Sequence, residues 1–293
     1  MQTPAAFEYD RATSVAEALA LLERYGPETR LLAGGHSLLP MMKLRLARPE
    51  RLVDINALAD LSYIRAEDGV LAIGALTRHA ELLSSELLRL HYPIFQEAER
   101  LIADPVVRSR GTIGGSLCQG DPAEDLAAVV SALGGELVLR SSGAVRTMPI
   151  RDFYLGPFET QVGPAEMLTE VRIPIRPGAG SAYEKVERRA GDWAIAAVGC
   201  FVEMEAGRVR DVGIGLAAVN APGFCAREAE DALRGQLPTP QALAAAAELA
   251  AARCRAQSDQ RGPEEYKREL VAELARRALR RAVEMAQEGG AGA

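Results

Sequence analysis

Apolar residues near the start of the chain recur three and four positions apart between Ser14 and Gly26. This period predicts an amphipathic helix. Ser14 followed three positions later by Glu17 is a capping-box pattern, and Gly26 followed by Pro27 predicts the end of the helix. The pattern that follows predicts three more elements: a strand at residues 30–33, a helix at 37–46 and a strand at 51–55.

Apolar runs of strand and helix length continue along the rest of the chain. In the middle they predict strands at residues 69–74, 136–140, 144–149 and 167–173, and helices at 79–84, 94–102 and 125–133. Further on they predict strands at 183–186, 194–205, 208–216 and 216–219, and helices at 241–252 and 263–286. The glycine- and proline-rich segment at 176–181 is the clearest break in composition. We therefore expect units at 1–56, 57–176 and 177–288, with a disordered tail at 288–293.

The composition of the 293 residues narrows the classes of function. Lys and Arg number 34 and Asp and Glu number 40, which gives a formal net charge of −6. A chain of this charge has no broad electrostatic attraction for nucleic acid. The longest uncharged apolar run, residues 193–202, is far shorter than the roughly 20 residues of a membrane span. With no signal-peptide pattern at its start, the sequence predicts a cytoplasmic protein without a membrane span.

Residues that commonly bind metals or catalyse hydrolysis are scattered. The four cysteines form no CxxC pair and the three histidines lie far apart, which argues against a disulfide framework and against a metal site in this chain. The chain has no GxxxxGK(S/T), no GxGxxG after a predicted strand, and no HExxH or GxSxG motif. Gly213-Ile-Gly215 lies within a predicted strand, and we interpret it as structural.

The segment Ala33-Gly34-Gly35-His36-Ser37 directly follows a predicted strand. Adjacent glycines let the backbone approach a ligand where a Cβ would clash, and successive N–H groups in such a turn can form an anion nest. His36 and Ser37 would add side-chain donors. The alternative interpretation is a tight turn without a ligand.

A second glycine pair lies in the turn that we predict at Thr112-Ile113-Gly114-Gly115-Ser116, ahead of Asp125. The carboxylate of Asp125 could accept hydrogen bonds from sugar hydroxyls, as acidic residues do in dinucleotide sites. Alternatively, Asp125 is a helix N-cap. Two glycine pairs flanked by Ser or Thr indicate a ligand with two anionic groups, such as a diphosphate.

Lys185 and the only tryptophan, Trp193, lie close together in the sequence. A lysine near an aromatic plane could stabilise negative charge on a reduced ring system, while Trp193 stacks on the ring or shields it. The alternative is a surface cation and a tryptophan of the core.

In order and spacing, these segments resemble the FAD-binding medium subunits of molybdenum hydroxylases, the xanthine dehydrogenase family, and most closely the carbon monoxide dehydrogenase type. The resemblance spans roughly residues 7–283 and rests on residues 33–43, 102–105, 111–115, 120–125, 183–185, 191–193 and 261–266. It implies an α+β fold. A two-subdomain PCMH-type FAD-binding module would be followed by a C-terminal domain of an antiparallel sheet plus helices.

The resemblance also implies FAD as the cofactor and a role for each candidate residue. The backbone of Ala33–Ser37 and Thr112–Ser116 would hold the diphosphate and ribityl regions, although Ser116 stands where many relatives carry Asn. The remaining positions would contact other parts of the cofactor: Ile102 by packing on it, Asp125 at a hydroxyl, Leu168 at the adenine end or ring edge, and Lys185 and Trp193 beside the isoalloxazine.

In the mechanism that the resemblance implies, this chain performs electron transfer and contributes no catalytic residue. Substrate would be oxidised at molybdenum in a molybdopterin-binding large subunit. Electrons would pass through two 2Fe–2S clusters of a small subunit to this FAD and then to an external acceptor. The three subunits would form a dimer of heterotrimers, a heterohexamer.

Two other functions stay open at this point. A self-sufficient FAD-dependent oxidoreductase of the same superfamily would need an acid or nucleophile at the flavin, for which Ser116, Glu187 and Cys118 are the only loose candidates. A scaffold that keeps the fold without FAD would have no use for the glycine pairs, Asp125 and Lys185 together.

Overall fold

Three short parallel strands organise the N-terminal part of the chain. The structure is a computed structural model that describes residues 3–290. Its first elements are β1 (Glu8–Arg11), α1 (Val15–Tyr25), β2 (Thr29–Leu32), α2 (Leu38–Lys43) and β3 (Arg51–Asp54). The strands pair in the order β1-β3-β2, both pairs parallel, so β2 and the loop after it end at the same edge as β3.

The ends of α1 and α2 follow from local backbone chemistry. Ser14 Oγ accepts from the Glu17 N–H at 3.1 Å, and Gly26, with φ of +75°, ends α1, which confirms the predicted helix. Helix α2 is shorter than the predicted 37–46, because Arg45 has φ of +61° and cannot continue a right-handed helix.

An antiparallel five-stranded sheet with helices packed on it forms the middle of the chain. Its strand order is β4-β5-β10-β6-β7, and β8 and β9 form a separate hairpin. The elements are β4 (Ile64–Glu67), β5 (Val70–Gly74), α3 (His79–Ser84), α4 (Glu86–His91), α5 (Ile94–Leu101), α6 (Pro105–Arg108), α7 (Ile113–Gln119), α8 (Asp125–Ala132), β6 (Glu136–Arg140), β7 (Val145–Pro149), β8 (Tyr154–Gly156), β9 (Glu159–Thr160) and β10 (Met167–Pro174).

The second glycine pair forms the first turn of α7, so its prediction as a turn is wrong. Thr112 is the N-cap of α7, and neither Gly114 nor Gly115 has positive φ. A Cβ on Gly114 would lie 2.7 Å from the Ala75 Cβ. Glycine is required there because the helix approaches β5 closely, not because the chain reverses.

The C-terminal part combines an antiparallel sheet, in the order β11-β12-β13, with three helices. Its elements are β11 (Gly180–Val186), β12 (Ala196–Glu205), β13 (Arg208–Ala217), α9 (Arg227–Leu233), α10 (Pro240–Arg253) and α11 (Glu264–Gly290). Helix α11 packs across β11 and β12 and against α10. Because α11 continues to Gly290, the predicted disorder is wrong for residues 288–290, and residues 291–293 lie outside the described range. No helix within residues 3–290 is long and apolar enough to cross a membrane.

Helix α8 is buried along its whole length and packs on β12 and β13. Two glycines of β13 make this contact possible. A Cβ on Gly213 would lie 1.8 Å from the Ala132 carbonyl oxygen, and one on Gly215 would lie 1.9 Å from that of Ala128. Gly213 and Gly215 are therefore packing residues, as interpreted from the sequence.

Substituting Gly215 tests this contact. Because the new methyl group would overlap the Ala128 carbonyl oxygen, we expect Gly215→Ala to lower the free energy of unfolding by about 3 kcal/mol or more. Gly143, which has no atom within 4 Å of its ideal Cβ position, provides the control, and Gly143→Ala should change stability by less than about 0.5 kcal/mol. Denaturant titration measures both, and equal effects would refute the packing argument.

Candidate functional site

A cleft of about 1000 Å³ lies where the N-terminal, middle and C-terminal parts of the chain meet. Fourteen of the fifteen candidate residues line it: Ala33, Gly34, Gly35, His36, Ser37, Ile102, Thr112, Gly114, Gly115, Ser116, Asp125, Leu168, Lys185 and Trp193. The exception is Ile113, whose side chain is fully buried in the core and whose N–H donates to the Thr77 carbonyl oxygen at 3.0 Å.

The loop after β2 offers unused backbone donors to the cleft. Within residues 3–290, the N–H groups of Gly34, Gly35, His36 and Ser37 donate to no protein acceptor. Gly35 has φ of +77°, and a Cβ on Gly34 would lie 2.4 Å from the Arg110 carbonyl oxygen. The loop thus needs both glycines, and it leaves four consecutive N–H groups available to a ligand, as the predicted anion nest requires.

The start of α7 differs from this loop, although the two segments look alike in sequence. The Gly114 N–H donates to the Ala75 carbonyl oxygen at 2.9 Å, and the Gly115 N–H donates to Thr112 Oγ1 at 3.0 Å. The Ser116 N–H donates to the Thr112 carbonyl oxygen at 2.9 Å. The two glycine pairs are therefore not equivalent, because the N–H groups of Gly114, Gly115 and Ser116 are already paired and α7 contributes a closely packed wall of the cleft.

Lys185 and Asp125 form a buried ion pair at the wall of the cleft. Lys185 Nζ lies 2.9 Å from Asp125 Oδ2 and donates to the Leu101 carbonyl oxygen at 3.0 Å. The Tyr183 hydroxyl donates to the other carboxylate oxygen at 2.6 Å. Burial raises the pKa of Asp125, and the charge of Lys185 opposes this shift. Asp125 is the first residue of α8 and Glu124 occupies the N-cap position, so the N-cap interpretation of Asp125 is wrong.

Glu124 is a second buried carboxyl in this wall, in contact with the Ser116 hydroxyl. Burial raises the pKa of Glu124 to about 8, so its carboxyl is largely protonated at neutral pH. Burial also raises the pKa of the nearby Cys118 thiol to about 12. A thiol with this pKa is a poor nucleophile.

His79 lines the cleft and pairs with Glu99 inside the protein, with Nδ1 2.9 Å from Glu99 Oε1. Burial lowers the pKa of His79, but the charge of Glu99 and the hydrogen bond outweigh burial and leave the pKa raised. The middle of the chain therefore places a protonatable ring beside the buried carboxyls.

The loop after β11 closes one side of the cleft. A Cβ on Gly191 would lie 2.4 Å from the Ala103 carbonyl oxygen, next to Ile102. Trp193 follows at the rim and remains 41% exposed. The tryptophan is thus available to cover a ligand in the cleft. The alternative interpretation, a tryptophan of the core, is wrong.

Sequence reasoning missed Tyr183, Glu124 and Asn56 as contributors to this region. Tyr183 is two positions before Lys185 on β11, and side chains two apart in a strand share a face. Glu124 belongs to the acidic run that ends in Asp125, and Asn56 follows a predicted strand end. Each had a weak signal, but none could be separated from solvent-exposed polar residues by pattern alone.

Comparison with known proteins identifies the family. Residues 5–176 match the family described as the FAD binding domain in molybdopterin dehydrogenase, and residues 181–282 match the CO dehydrogenase flavoprotein C-terminal domain. The chain is 42% identical over 280 residues to the carbon monoxide dehydrogenase medium chain of Afipia carboxidovorans, a match covering 95% of this chain and 97% of the relative. It is 36% identical over 277 residues to the glyceraldehyde dehydrogenase medium chain of Sulfolobus acidocaldarius, covering 94% and 98%.

Solved structures agree with these matches. A chain of carbon monoxide dehydrogenase from Hydrogenophaga pseudoflava superposes with a TM-score of 0.93 at 43% identity, covering 97% of this chain and 99% of that one. A chain of quinoline 2-oxidoreductase from Pseudomonas putida 86 superposes with a TM-score of 0.90 at 31% identity, with the same coverage. Because these matches run along nearly the whole chain, it belongs to the FAD-binding medium subunits of the carbon monoxide dehydrogenase-like molybdenum hydroxylases, which are oxidoreductase subunits.

Proposed function

We propose that this chain binds FAD in the cleft and transfers electrons from an iron–sulfur subunit to an external acceptor. The observation that carries the proposal is the loop after β2, which lines the cleft with four consecutive N–H groups that have no acceptor within residues 3–290, while a buried cation lies in the wall. Such a site suits a diphosphate at one end and a ring system that accumulates negative charge at the other.

Close backbone contacts hold the loops that line the cleft. Side chains at Gly34 and Gly191 would clash with the carbonyl oxygens of Arg110 and Ala103, at 2.4 Å in each case. Backbone groups of residues 33–37 would hold the diphosphate, with residues 112–116 beside the ribityl region. Further contacts would come from Ile102, Asp125, Leu168, Lys185 and Trp193.

Bound flavin would supply chemistry that accepts electrons singly and releases them singly or in pairs, while the protein binds, orients and tunes it. Lys185 would hold positive charge near the ring. Asp125 would fix the position of Lys185 and would itself be held by the Tyr183 hydroxyl. Trp193 would cover the ring at the rim and exclude water.

A self-sufficient oxidoreductase is less well supported by the residues available. The Cys118 thiol has a pKa raised to about 12, and the Ser116 hydroxyl contacts Glu124, whose carboxyl is largely in its protonated, non-basic form at neutral pH. Glu187 lies 3.5 Å from Lys185 Nζ and accepts from the Gly191 N–H at 3.1 Å, which favours a structural role.

The remaining features of the proposal come from the family. We propose a molybdopterin-binding large subunit and a 2Fe–2S small subunit as partners, arranged as a dimer of heterotrimers in the cytoplasm. We also propose that residues 1–56, 57–176 and 177–288 are the folding units that meet around the cofactor.

Flavin retention tests the cleft. After incubation with FAD and gel filtration, the wild-type chain should keep a flavin absorption spectrum. Gly34→Ala should bind FAD about tenfold more weakly or worse, because its methyl group would displace the loop from the Arg110 carbonyl. Gly143→Ala is the control and should match the wild type. Flavin retained equally by Gly34→Ala would contradict the assignment of the loop.

The electrostatic role of Lys185 can be measured as a potential. Lys185→Met removes a cation and leaves Asp125 unpaired, so the midpoint potential of the bound flavin should fall by about 30 mV or more. Lys267→Met is the matched control, because Lys267 is also buried and ion-paired, to Asp259 at 2.9 Å, but does not line the cleft. A titration with reference dyes in the assembled enzyme gives both values. An unchanged midpoint potential in Lys185→Met would refute the proposed electrostatic role of Lys185.

The neutral form of Glu124 keeps additional negative charge away from the proposed flavin. Its raised pKa also makes the folding stability of the chain depend on pH. Because the folded pKa of about 8 lies above the unfolded value of 4.5, the folded state holds a proton that the unfolded state loses. Wild-type stability should therefore fall, relative to Glu124→Gln, as pH rises from 4.5 to about 8. Denaturant titrations of both proteins across this window test the prediction, with the exposed Glu159→Gln as control. Parallel pH profiles of wild type and Glu124→Gln would contradict the raised pKa.

A further inference from the structure

Asn56 lies two positions after the end of β3 and does not line the cleft, and its side-chain amide both donates and accepts hydrogen bonds. Its Nδ2 donates to the carbonyl oxygens of Ala33 at 2.5 Å and Leu32 at 3.2 Å, and to Asp54 Oδ1 at 2.8 Å. Its Oδ1 accepts from Arg78 Nη2 at 2.9 Å. Because donors lie on one side and acceptors on the other, the network fixes the orientation of the amide.

Arg78 closes these contacts into a ring. Its Nη1 donates to the carbonyl oxygen of Arg110, and this is the same carbonyl that lies against Gly34. The connection therefore runs from Ala33 through Asn56 and Arg78 to Arg110, and returns to the loop at Gly34. It joins the loop after β2 to the middle part of the chain.

Two guanidinium groups converge on one amide oxygen in this ring. Arg110 Nη2 lies 3.5 Å from Asn56 Oδ1, on the same atom that Arg78 contacts. Neither arginine has an ion-pair partner in the part of the chain that the structure describes. The nearby carboxylates are otherwise engaged: Glu81 accepts from the Arg78 backbone N–H, and Asp54 accepts from Asn56. The ring thus places two guanidinium groups next to the amide that contacts the loop.

We propose that Asn56 is a positioning residue for the anion-binding loop, residues 33–37. It holds the carbonyl oxygens of Leu32 and Ala33 away from the cleft, so that the following N–H groups of Gly34 to Ser37 stay free to bind a diphosphate. It also connects that loop to the two arginines. This inference rests on the proposed binding of FAD and adds a residue that acts on it without touching it.

The test uses the full chain with three ligands: FAD and ADP, which carry a diphosphate, and riboflavin, which does not. Asn56→Ala removes all the amide contacts. Asn56→Asp keeps an acceptor for Arg78 but loses the donors to Ala33. Asn220→Asp is the matched control, since this amide lies outside the cleft and, within residues 3–290, hydrogen-bonds only to the Arg255 carbonyl oxygen, at 3.4 Å.

Both Asn56 variants should bind FAD and ADP about tenfold more weakly or worse, as expected for a misplaced loop that loses hydrogen bonds. Riboflavin affinity should stay at the wild-type value in both variants, and Asn220→Asp should leave the affinity for all three ligands unchanged. An equal loss for all three ligands would mean a general structural role and overturn the proposal. Wild-type affinity in Asn56→Asp would also overturn it. Failure of the wild-type chain to bind FAD or ADP would instead refute the proposed function itself.

Discussion

The close contact between α8 and β13 is the constraint on which the rest of the site depends. Helix α8 can approach the C-terminal sheet only because Gly213 and Gly215 leave room for its carbonyl oxygens. The distance between α8 and β13 sets where Asp125, the first residue of α8, meets Lys185 on β11 of the same sheet. A packing requirement in the core therefore fixes the position of a charge at the cleft.

The charge distribution around the cleft follows from burial more than from the number of charged residues. Asp125 pairs with Lys185 and accepts from the Tyr183 hydroxyl, and Lys185 also lies 3.5 Å from Glu187. The neighbouring Glu124 contacts the Ser116 hydroxyl, and burial raises the pKa of Glu124 to about 8, so this carboxyl is largely protonated at neutral pH. The neutral form of Glu124 adds no further negative charge to a wall in which Lys185 already contacts two carboxyl groups.

The sequence predicted the regular elements well and most of the candidate residues that the structure brings together around one cleft. The helix after Ser14, the α+β class and the resemblance to molybdenum hydroxylase flavoproteins are confirmed. Prediction from the sequence failed where glycine serves two different purposes. Gly34 and Gly114 stand in similar sequence contexts, and both pack closely against other backbone. They differ in their N–H groups: that of Gly114 donates to the Ala75 carbonyl oxygen, whereas that of Gly34 has no acceptor within residues 3–290. Only tertiary contacts distinguish these uses, because local patterns carry no information on what approaches a glycine.

Asn56 escaped sequence reasoning for a related reason. A polar residue after a strand is ordinary, and its importance comes from Arg78 and Arg110, which are far away in the chain. Backbone N–H groups bind a ligand well only when their loop is already held in one conformation. In a mobile loop, the conformational entropy lost on binding would offset the hydrogen bonds that the N–H groups make. An anion nest made of glycines is the most mobile kind of loop. It follows that its specificity must be supplied by neighbours that never touch the ligand, and in this chain the ring through Asn56 meets that requirement.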